Sequence, residues 1–232
     1  NREGPSVQSI LRDASYAFCG VRPDIVAAGR TDAGVHALGM VAHFDLDGVF
    51  DDNTVMRAVN FYLAEKPVVI LSCDVVADDF NARFDCTARH YRYVVLNRRA
   101  APVLNKNRVW WVPRKLNIDA MRDAATHLIG HHDFTSFRAT QCQAKSPIKT
   151  LDACNIITDG DNVIFEFSAR SFLHHQVRNM VGTLVEIGLG KPYDIDEIFA
   201  ACNRSAAGPT APASGLYFIS ADYSTDASHS DI

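Results

Sequence analysis

The sequence predicts an α+β fold of two ferredoxin-like halves, each with strands and helices in a split β-α-β order. Apolar residues recur at helical spacing in both halves, as at 7–18 and 177–185. Alternating segments such as MVAHFDL at 40–46 lie between these helices, and DGDN at 159–162 is typical of a hairpin turn. We expect the halves to share one mixed, mainly antiparallel sheet, with helices on one face and a cleft between the halves.

The N-terminal half covers residues 1–97 and begins with a helix. Ser6 is a suitable N-cap for this helix, and Gly20 is a suitable residue to end it. The remaining expected elements are, in order, a strand at 24–28, a strand at 40–46, a helix at 53–63, and strands at 68–75 and 89–96. A split β-α-β unit should begin with a strand, so we expect the first strand of this half to lie outside the sequence.

A linker at 98–107 precedes the C-terminal half, which covers 108–223 and is followed by a polar tail at 224–232. The expected elements are strands at 108–112, 148–157, 163–169 and 216–222, and helices at 118–129, from 177 onward and at 195–202. The second of these helix segments should bury Val177, Met180, Val181 and Leu184 on one face. We expect GHHDF at 130–134 to be a polar loop, with Phe134 and Phe137 in the core.

The composition is that of an ordinary globular protein, with 47% hydrophobic and 22% charged residues. No apolar run approaches the length of about 18 residues that a membrane span requires. The six cysteines are scattered without a C-x-x-C pair, which argues against a zinc ribbon and a disulfide framework. Reduced thiols in the cytoplasm are the simplest interpretation.

Basic residues are concentrated in one part of the chain, although the formal net charge is −4. Against one acid, Asp85, this basic band holds nine basic residues, which are Arg83, Arg89, Arg92, Arg98, Arg99, Lys106, Arg108, Arg114 and Lys115. Such a band can bind the phosphate groups of a nucleic acid. A solvated face, or ion pairs within the fold, is the alternative explanation.

The loop GRTDAG at 29–34 places one carboxylate, Asp32, between Arg30 and Gly34. Aspartate and glycine are common in turns, where the aspartate bonds its own backbone and the glycine supplies conformational freedom. The alternative is a nucleophile or base that a neighbouring guanidinium keeps ionised. The residues alone leave both interpretations open.

The segment GRTDAGVHA at 29–37 resembles the signature of the A-type tRNA pseudouridine synthases, which isomerise uridines at about positions 38–40 of the anticodon arm. The blocks that resemble the family, in the family's order, are DDFNARFDCTARHYRYVVLN at 78–97, GHHDFTSFRA at 130–139, FLHHQVRNMVGTLVEIGLGK at 172–191 and ASGLYF at 213–218. The resemblance therefore covers nearly the whole chain. The family's first strand and its tryptophan-containing segment have no counterpart in these residues.

The resemblance implies a role for several residues. Asp32 matches the catalytic aspartate, Arg178 the arginine paired with it, and Tyr91 the tyrosine that stacks on the target base. Leu216 matches an apolar residue of the site, and Arg30 an arginine that helps to extrude the base. We therefore assign catalysis to Asp32, Arg178 and Tyr91. Substrate binding is assigned to Arg30, Thr31, His36, Arg83, Tyr91 and Leu216.

The implied reaction breaks the N1–C1′ glycosidic bond of uridine and rejoins the ring through C5. A stacked uracil must be flipped out before an enzyme can reach it, and an aromatic ring such as that of Tyr91 can hold it. Asp32 can serve as a nucleophile or as a base, and Arg178 would keep it ionised. No group leaves the substrate, so we expect neither a metal nor a redox cofactor.

The candidate residues also have structural interpretations. Tyr91 can be a packing residue of a strand, and Arg178 can pair with another acid such as Glu186. His174 and His175 resemble ligands, but adjacent histidines on a helix point to different faces, so we expect no metal site.

The resulting hypothesis is a cytoplasmic tRNA pseudouridine synthase that binds tRNA and, as the resemblance implies, forms a homodimer. A non-catalytic RNA-binding module of the same fold is one alternative. A metal-dependent hydrolase that uses Asp32, His36, His43 and the histidine pairs is the other.

Overall fold

The computed structural model describes residues 4–224, which form two compact units. Within the described range, the first unit comprises 4–30, 39–86 and 223–224, and the second comprises Thr31–Leu38 and Thr87–Asp222. The halves predicted at 1–97 and 108–223 stay a prediction, since the two units divide the chain at other positions. Most of the predicted polar tail, from 225 onward, lies outside the described residues.

The helices and strands follow one another along the whole described chain. In order, they are α1 (Val7–Cys19), β1 (Val26–Ala27), β2 (His36–Ala37), β3 (Ala42–His43), α2 (Asp52–Tyr62), β4 (Cys86–Leu96), β5 (Trp110–Trp111), α3 (Ile118–Thr126), β6 (Gly130–Asp133), β7 (Ile148–Leu151), β8 (Ala153–Asp159), β9 (Asn162–Ala169), α4 (Gln176–Gly188), α5 (Ile195–Ala201) and β10 (Leu216–Tyr223). Single turns of 3₁₀-helix occur at Thr135–Phe137, Arg204–Ala206 and Ala213–Gly215. None of the helices in the described part of the chain is both long and apolar enough to cross a bilayer.

The first unit begins with a helix whose ends agree with the sequence prediction. The Ser6 hydroxyl accepts a hydrogen bond from the backbone of Ser9 at 3.1 Å, and Gly20 ends α1 with a φ of 75°. Helix α2, predicted at 53–63, is capped by Asp51, whose carboxylate accepts from two backbone N–H groups. The two helices share a small core of Ala14, Val55, Val59 and Leu63.

The strands of the first unit are shorter than the sequence predicts. The strand expected at 40–46 is reduced to β3, because its partner β1 offers only a two-residue antiparallel ladder. The strand predicted at 68–75 is wrong. The side-chain amide of Asn60 instead bonds the backbone of Ile70, accepting from its N–H at 2.8 Å and donating to its carbonyl at 2.9 Å.

A mixed sheet forms the centre of the second unit, which confirms the predicted α+β class. Its order is β2-β10-β4-β9-β8, and β5 pairs with β4. Strand β4 pairs antiparallel with β9 and parallel with β5, while β10 pairs parallel with β2. The predicted hairpin is confirmed between β8 and β9, where Gly160 has a φ of 56°.

A second, two-stranded sheet of β6 and β7 corrects two predictions. GHHD is a strand rather than a polar loop, because β7 provides it with an antiparallel partner. The strand predicted at 148–157 is interrupted at Asp152, whose N–H bonds the carbonyl of Ser168 at 2.8 Å. Phe134 and Phe137, which follow β6, are fully buried as predicted.

Helix α4 lies in the core of the second unit. The predicted face is buried, and so are the polar residues on its other sides, which are Gln176, Asn179 and Thr183. The helix packs with α3, and its glycines allow close approach of other groups. Because α4 is enclosed in this way, residues at its first turn are held firmly in place.

Candidate active site

Asp32 lies in a main-chain turn of the second unit. The N–H of Val35 donates to the carbonyl of Asp32 at 3.1 Å, and Gly34 has a φ of 85°, which favours glycine. The chain then enters β2, which pairs with β10 at His36 and Tyr217. The backbone carbonyl of Asp32 accepts the hydrogen bond that closes this turn. The side-chain carboxylate is therefore not needed for the turn and can contact other residues.

Three side chains at or just before the start of α4 contact the Asp32 carboxylate. Arg178 donates from Nη1 to Oδ2 at 2.6 Å. His174 has its Nε2 at 3.0 Å from Oδ1, and His175 has its Nε2 at 3.1 Å from Oδ2. The pairing of Asp32 with Arg178 that the resemblance implies is therefore present, and Glu186 is not needed as the partner.

The two histidines are the residues of this site that sequence reasoning set aside. Adjacent residues of a helix point to different faces, but α4 begins only at Gln176, after both histidines. His175 precedes it with a φ of 64°, in the left-handed region, and the two rings lie 4.0 Å apart. The geometric reason given against them is therefore wrong, because both can turn their Nε2 atoms toward Asp32.

The surroundings of Asp32 favour its ionised form. Burial raises the pKa of this carboxyl, but the hydrogen bond from Arg178, the charge of His175 when it is protonated and the charge of Arg178 together lower it by more, so the pKa lies below its ordinary value. The N-terminus of α4 adds a favourable dipole. Burial lowers the pKa of His175 despite the opposing charge of Asp32, which favours a neutral imidazole there.

Arg178 is oriented by the loop at 207–212 as well as by Asp32. Its Nε donates to the carbonyl of Ala211 at 2.8 Å, and the N–H of Ala211 donates to the carbonyl of Arg178 at 3.1 Å. Gly182 allows this loop to approach, because a Cβ there would overlap the carbonyl oxygen of Pro209. The loop is therefore packed directly on the helix that carries the arginine.

A polar network around the buried side chain of Asn179, which the sequence does not indicate, holds the same loop. Arg204 donates from Nη2 to Asn179 Oδ1 and to Thr210 Oγ1, both at 3.0 Å. The Thr210 hydroxyl lies 2.7 Å from Asn179 Oδ1, and Asn179 Nδ2 donates to the carbonyl of Phe137 at 2.7 Å. These bonds satisfy polar groups in the core and fix the loop behind Arg178.

Tyr91 and Leu216 belong to adjacent strands, β4 and β10. The Tyr91 ring is partly buried and meets Phe172 and Phe218 edge-on, with centroids 5.1 and 5.2 Å away. Leu216 is buried at the start of β10. Tyr93, two residues after Tyr91 on β4, is fully buried and its hydroxyl donates to the carbonyl of Pro212, so it is a core residue.

The other predicted substrate-binding residues are divided between the two units. Arg30 and Arg83 are exposed and belong to the first unit, whereas Thr31 is exposed in the second. His36 has its Nε2 at 3.0 Å from the carbonyl of Asn107 and stacks on Tyr217, so it is bound within the protein.

Some residues of the basic band pair with acids, and most of the band is exposed. Arg92 pairs with Glu166 at 2.7 Å, and Arg98 pairs with Asp161 at 3.2 Å. Arg89 is buried. The exposed members are Arg83, Arg98, Arg99, Lys106, Arg108, Arg114 and Lys115. Ion pairing therefore accounts for part of the band, and most of it faces solvent.

Only some of the residues named for a metal-dependent hydrolase form a cluster of possible ligands. Asp32, His174 and His175 each offer a ligand atom, and these atoms lie within 4.8 Å of one another. His36 is bound to Asn107, and His43 belongs to the first unit, where its Nδ1 accepts from the backbone of Ala82 at 3.1 Å.

The mixed sheet and the ionised carboxylate define an α+β protein with an aspartate-centred site. A family model described as tRNA pseudouridine synthase matches residues 124–224. The tRNA pseudouridine synthase A of Rhodospirillum rubrum is 50% identical over 219 residues, which is 93% of this chain and 78% of that protein. The protein of the same name from Rhodopseudomonas palustris is 51% identical over 222 residues, 95% of this chain and 90% of that protein. The chain belongs to the tRNA pseudouridine synthase A family.

Proposed function

We propose that this protein is an isomerase that converts uridine to pseudouridine in tRNA, with Asp32 as its catalytic residue. The observation that carries the proposal is the 2.6 Å contact between Asp32 of the signature and Arg178 of the block at 172–191, which is the pair that the family resemblance implies. Relatives that share about half of its residues are named for this activity, which supports the same reaction here.

The reaction breaks the bond from C1′ to N1, forms a bond from C1′ to C5, and moves a proton from C5 to N1. An ionised carboxylate can begin this sequence by attacking carbon or by removing a proton. Arg178 keeps Asp32 in that form and holds its orientation. The lowered pKa of Asp32 therefore suits either role.

The substrate is a uridine of the anticodon arm, flipped out of the stacked strand. Tyr91 supplies an aromatic face for the flipped base, because two phenylalanine rings hold its own ring edge-on. Leu216 packs beside the base, and the residues that bind the surrounding RNA are Arg30, Thr31, His36 and Arg83. The exposed part of the basic band contacts phosphates.

The protein works as a homodimer in the cytoplasm, without a cofactor. The absence of disulfide bridges among its six cysteines, all of which lie in the described residues, supports a reducing compartment. Sedimentation of the purified protein, alone and with tRNA, measures the dimer directly.

The test of this function is tritium release from tRNA labelled at C5 of its uridines. We expect release by the parent protein and none by Asp32→Ala. Asp152→Asn, which changes the exposed aspartate at the interruption between β7 and β8, is the matched control and should release tritium normally.

Two results would overturn the proposal. Tight tRNA binding without tritium release from the parent protein would indicate a non-catalytic RNA-binding module. Full release by a correctly folded Asp32→Ala would exclude Asp32 as the catalytic residue.

A further inference from the structure

The proposed reaction uses the Asp32 carboxylate but assigns no role to the two imidazoles beside it. We propose that Asp32, His174 and His175 form a binding site for a transition-metal dication of the zinc class, and that the bound ion reversibly inhibits the enzyme. The binding site rests on geometry and donor chemistry alone, whereas the inhibition also rests on the proposed function.

The donor atoms are already arranged for a small ion. Zinc binds histidine nitrogen and carboxylate oxygen at about 2.0–2.2 Å, so two donors on one tetrahedral zinc lie about 3.4 Å apart. His174 Nε2 is 3.0 Å from Asp32 Oδ1, and His175 Nε2 is 3.1 Å from Oδ2. All three ligand atoms lie within 4.8 Å of one another, so side-chain rotations that move these atoms by about 1 Å would convert the hydrogen-bonded cluster into a coordinated one.

The site is open to solvent on one side. The side chains of Asp32, His174 and His175 are 24%, 42% and 27% exposed. Three protein ligands with an open fourth position are typical of zinc sites that retain a water molecule. An ion can therefore enter from solution without opening the core.

The donor set predicts which ions bind. Two imidazoles and one carboxylate suit zinc, nickel, copper and cobalt, whereas magnesium requires an octahedral set of oxygen ligands. Each imidazole would carry its proton on Nδ1 and present the Nε2 lone pair to the ion. Asp32 would bind through Oδ1, while Arg178 keeps its bond to Oδ2.

Inhibition is expected because the bound ion occupies the carboxylate that the reaction needs. A metal-bound Asp32 oxygen is a poor nucleophile and a poor base, and the ion and its water occupy the space in front of it. The positive charge of Arg178 at 2.6 Å opposes a second cation. We therefore expect reversible binding that a chelator removes.

The binding test titrates the purified protein with Zn²⁺ in competition with a chromophoric chelator. We expect the parent protein to bind one equivalent of Zn²⁺ at this site. His174→Ala and His175→Asn should each abolish this binding or lower its affinity by roughly 10- to 100-fold or more. Asparagine is chosen at 175 because it tolerates the left-handed backbone of that residue. Circular dichroism checks that both variants fold.

The matched control is His127→Ala, which removes a histidine that pairs with a single carboxylate. His127 Nδ1 lies 3.0 Å from Asp196, and this pair is not part of a three-donor cluster among the described residues. The control should bind Zn²⁺ like the parent protein. Equal binding by the parent, His174→Ala and His175→Asn would overturn the proposal, as would the absence of the site in the parent.

The inhibition test adds Zn²⁺ or Mg²⁺ to the tritium-release assay. We expect Zn²⁺ to stop release, a chelator to restore it, and Mg²⁺ to leave it unchanged. Normal release with saturating Zn²⁺ would overturn the inhibition. Zinc binding without any isomerase activity would refute the proposed function but leave the metal site in place, so the two failures are distinguishable.

Discussion

Arg178 connects the Asp32 carboxylate to the backbone of Ala211 through two nitrogen atoms of one planar group. Its Nη1 donates to Asp32 at 2.6 Å, and its Nε donates to Ala211 at 2.8 Å. Because the guanidinium is rigid, the bond from its Nε to the carbonyl of Ala211 fixes the direction in which its Nη1 points toward the carboxylate of Asp32. The position of a remote backbone carbonyl thus sets the geometry of the candidate catalytic group.

Arg178→Lys should lower kcat while leaving tRNA affinity nearly unchanged. A lysine ammonium keeps the charge but cannot make both bonds in the same geometry. Losing a hydrogen bond to a charged group costs about 1.5–3 kcal/mol, which corresponds to roughly a 10- to 150-fold decrease in rate. Single-turnover tritium release and filter binding measure the two quantities.

The control for Arg178→Lys is Arg122→Lys, which changes an exposed arginine of the second unit. Arg122 pairs with Asp119 at 3.3 Å and donates to the carbonyl of Ile156, away from Asp32. It should retain the parental rate. An unchanged kcat in Arg178→Lys would show that the planar fork has no part in the reaction.

Tyr91→Phe should preserve substrate binding, whereas Tyr91→Ala should weaken it. Base–aromatic stacking contributes about 1–3 kcal/mol, so the alanine variant should lower kcat/KM by roughly 5- to 150-fold. The phenylalanine variant retains the edge-on contacts with Phe172 and Phe218 and serves as the control for folding. If Tyr91→Ala matched the parent in kcat/KM, the stacking role would be refuted.

Gly182→Ala should damage both stability and activity. The added methyl would overlap backbone atoms of Pro209, so the loop that holds Arg178 must move. Overpacking of this kind typically costs about 1–3 kcal/mol in the free energy of unfolding. Denaturant unfolding and tritium release together measure the effect.

A second glycine of the same helix provides the comparison. A methyl group at Gly188 would meet the flexible side chain of Met121 before any backbone, and a methionine can rearrange. Gly188→Ala should therefore destabilise the protein less and keep its kcat. Equal losses of kcat in the two variants would argue against a specific connection between Gly182 and Arg178.

Much of the fold was predictable because its signals are local. Ser6 and Gly20 bound α1 through their own side-chain and backbone preferences, and DGDN determines the hairpin between β8 and β9. The strand at 68–75 was mispredicted for the opposite reason. An alternating segment becomes a strand only when a neighbouring strand pairs with its backbone. At Ile70 the side-chain amide of Asn60 bonds the backbone N–H and carbonyl instead.

The candidate site was predictable only in part. The match of Asp32 and Arg178 to a family signature correctly indicated that they pair. The histidines were excluded by helical geometry that His175 does not adopt, since it has a positive φ just before α4. The network of Asn179, Arg204 and Thr210 joins residues far apart in sequence, and its residue types carry no pattern that indicates a contact.

The double variant Lys106→Ala/Arg108→Ala should weaken tRNA binding without changing kcat. The segment that carries these exposed residues is attached to β2 and β10, since Asn107 bonds His36 of β2 at 3.0 Å and the carbonyl of Arg108 accepts from the hydroxyl of Tyr217 of β10 at 2.5 Å. It is thereby held beside the strand that begins four residues after Asp32. Each lost phosphate contact lowers the slope of log Kd against log salt by about one, so the slope should fall by about two.

Filter binding of tRNA between about 50 and 200 mM salt measures this slope. Arg122→Ala is the control, because it removes a positive charge outside the basic band and should leave the slope unchanged. A parental slope in the double variant would place the phosphate contacts elsewhere in the band. A flat response in the parent protein would mean that the band does not bind phosphates, because release of counterions from tRNA makes every such contact sensitive to salt.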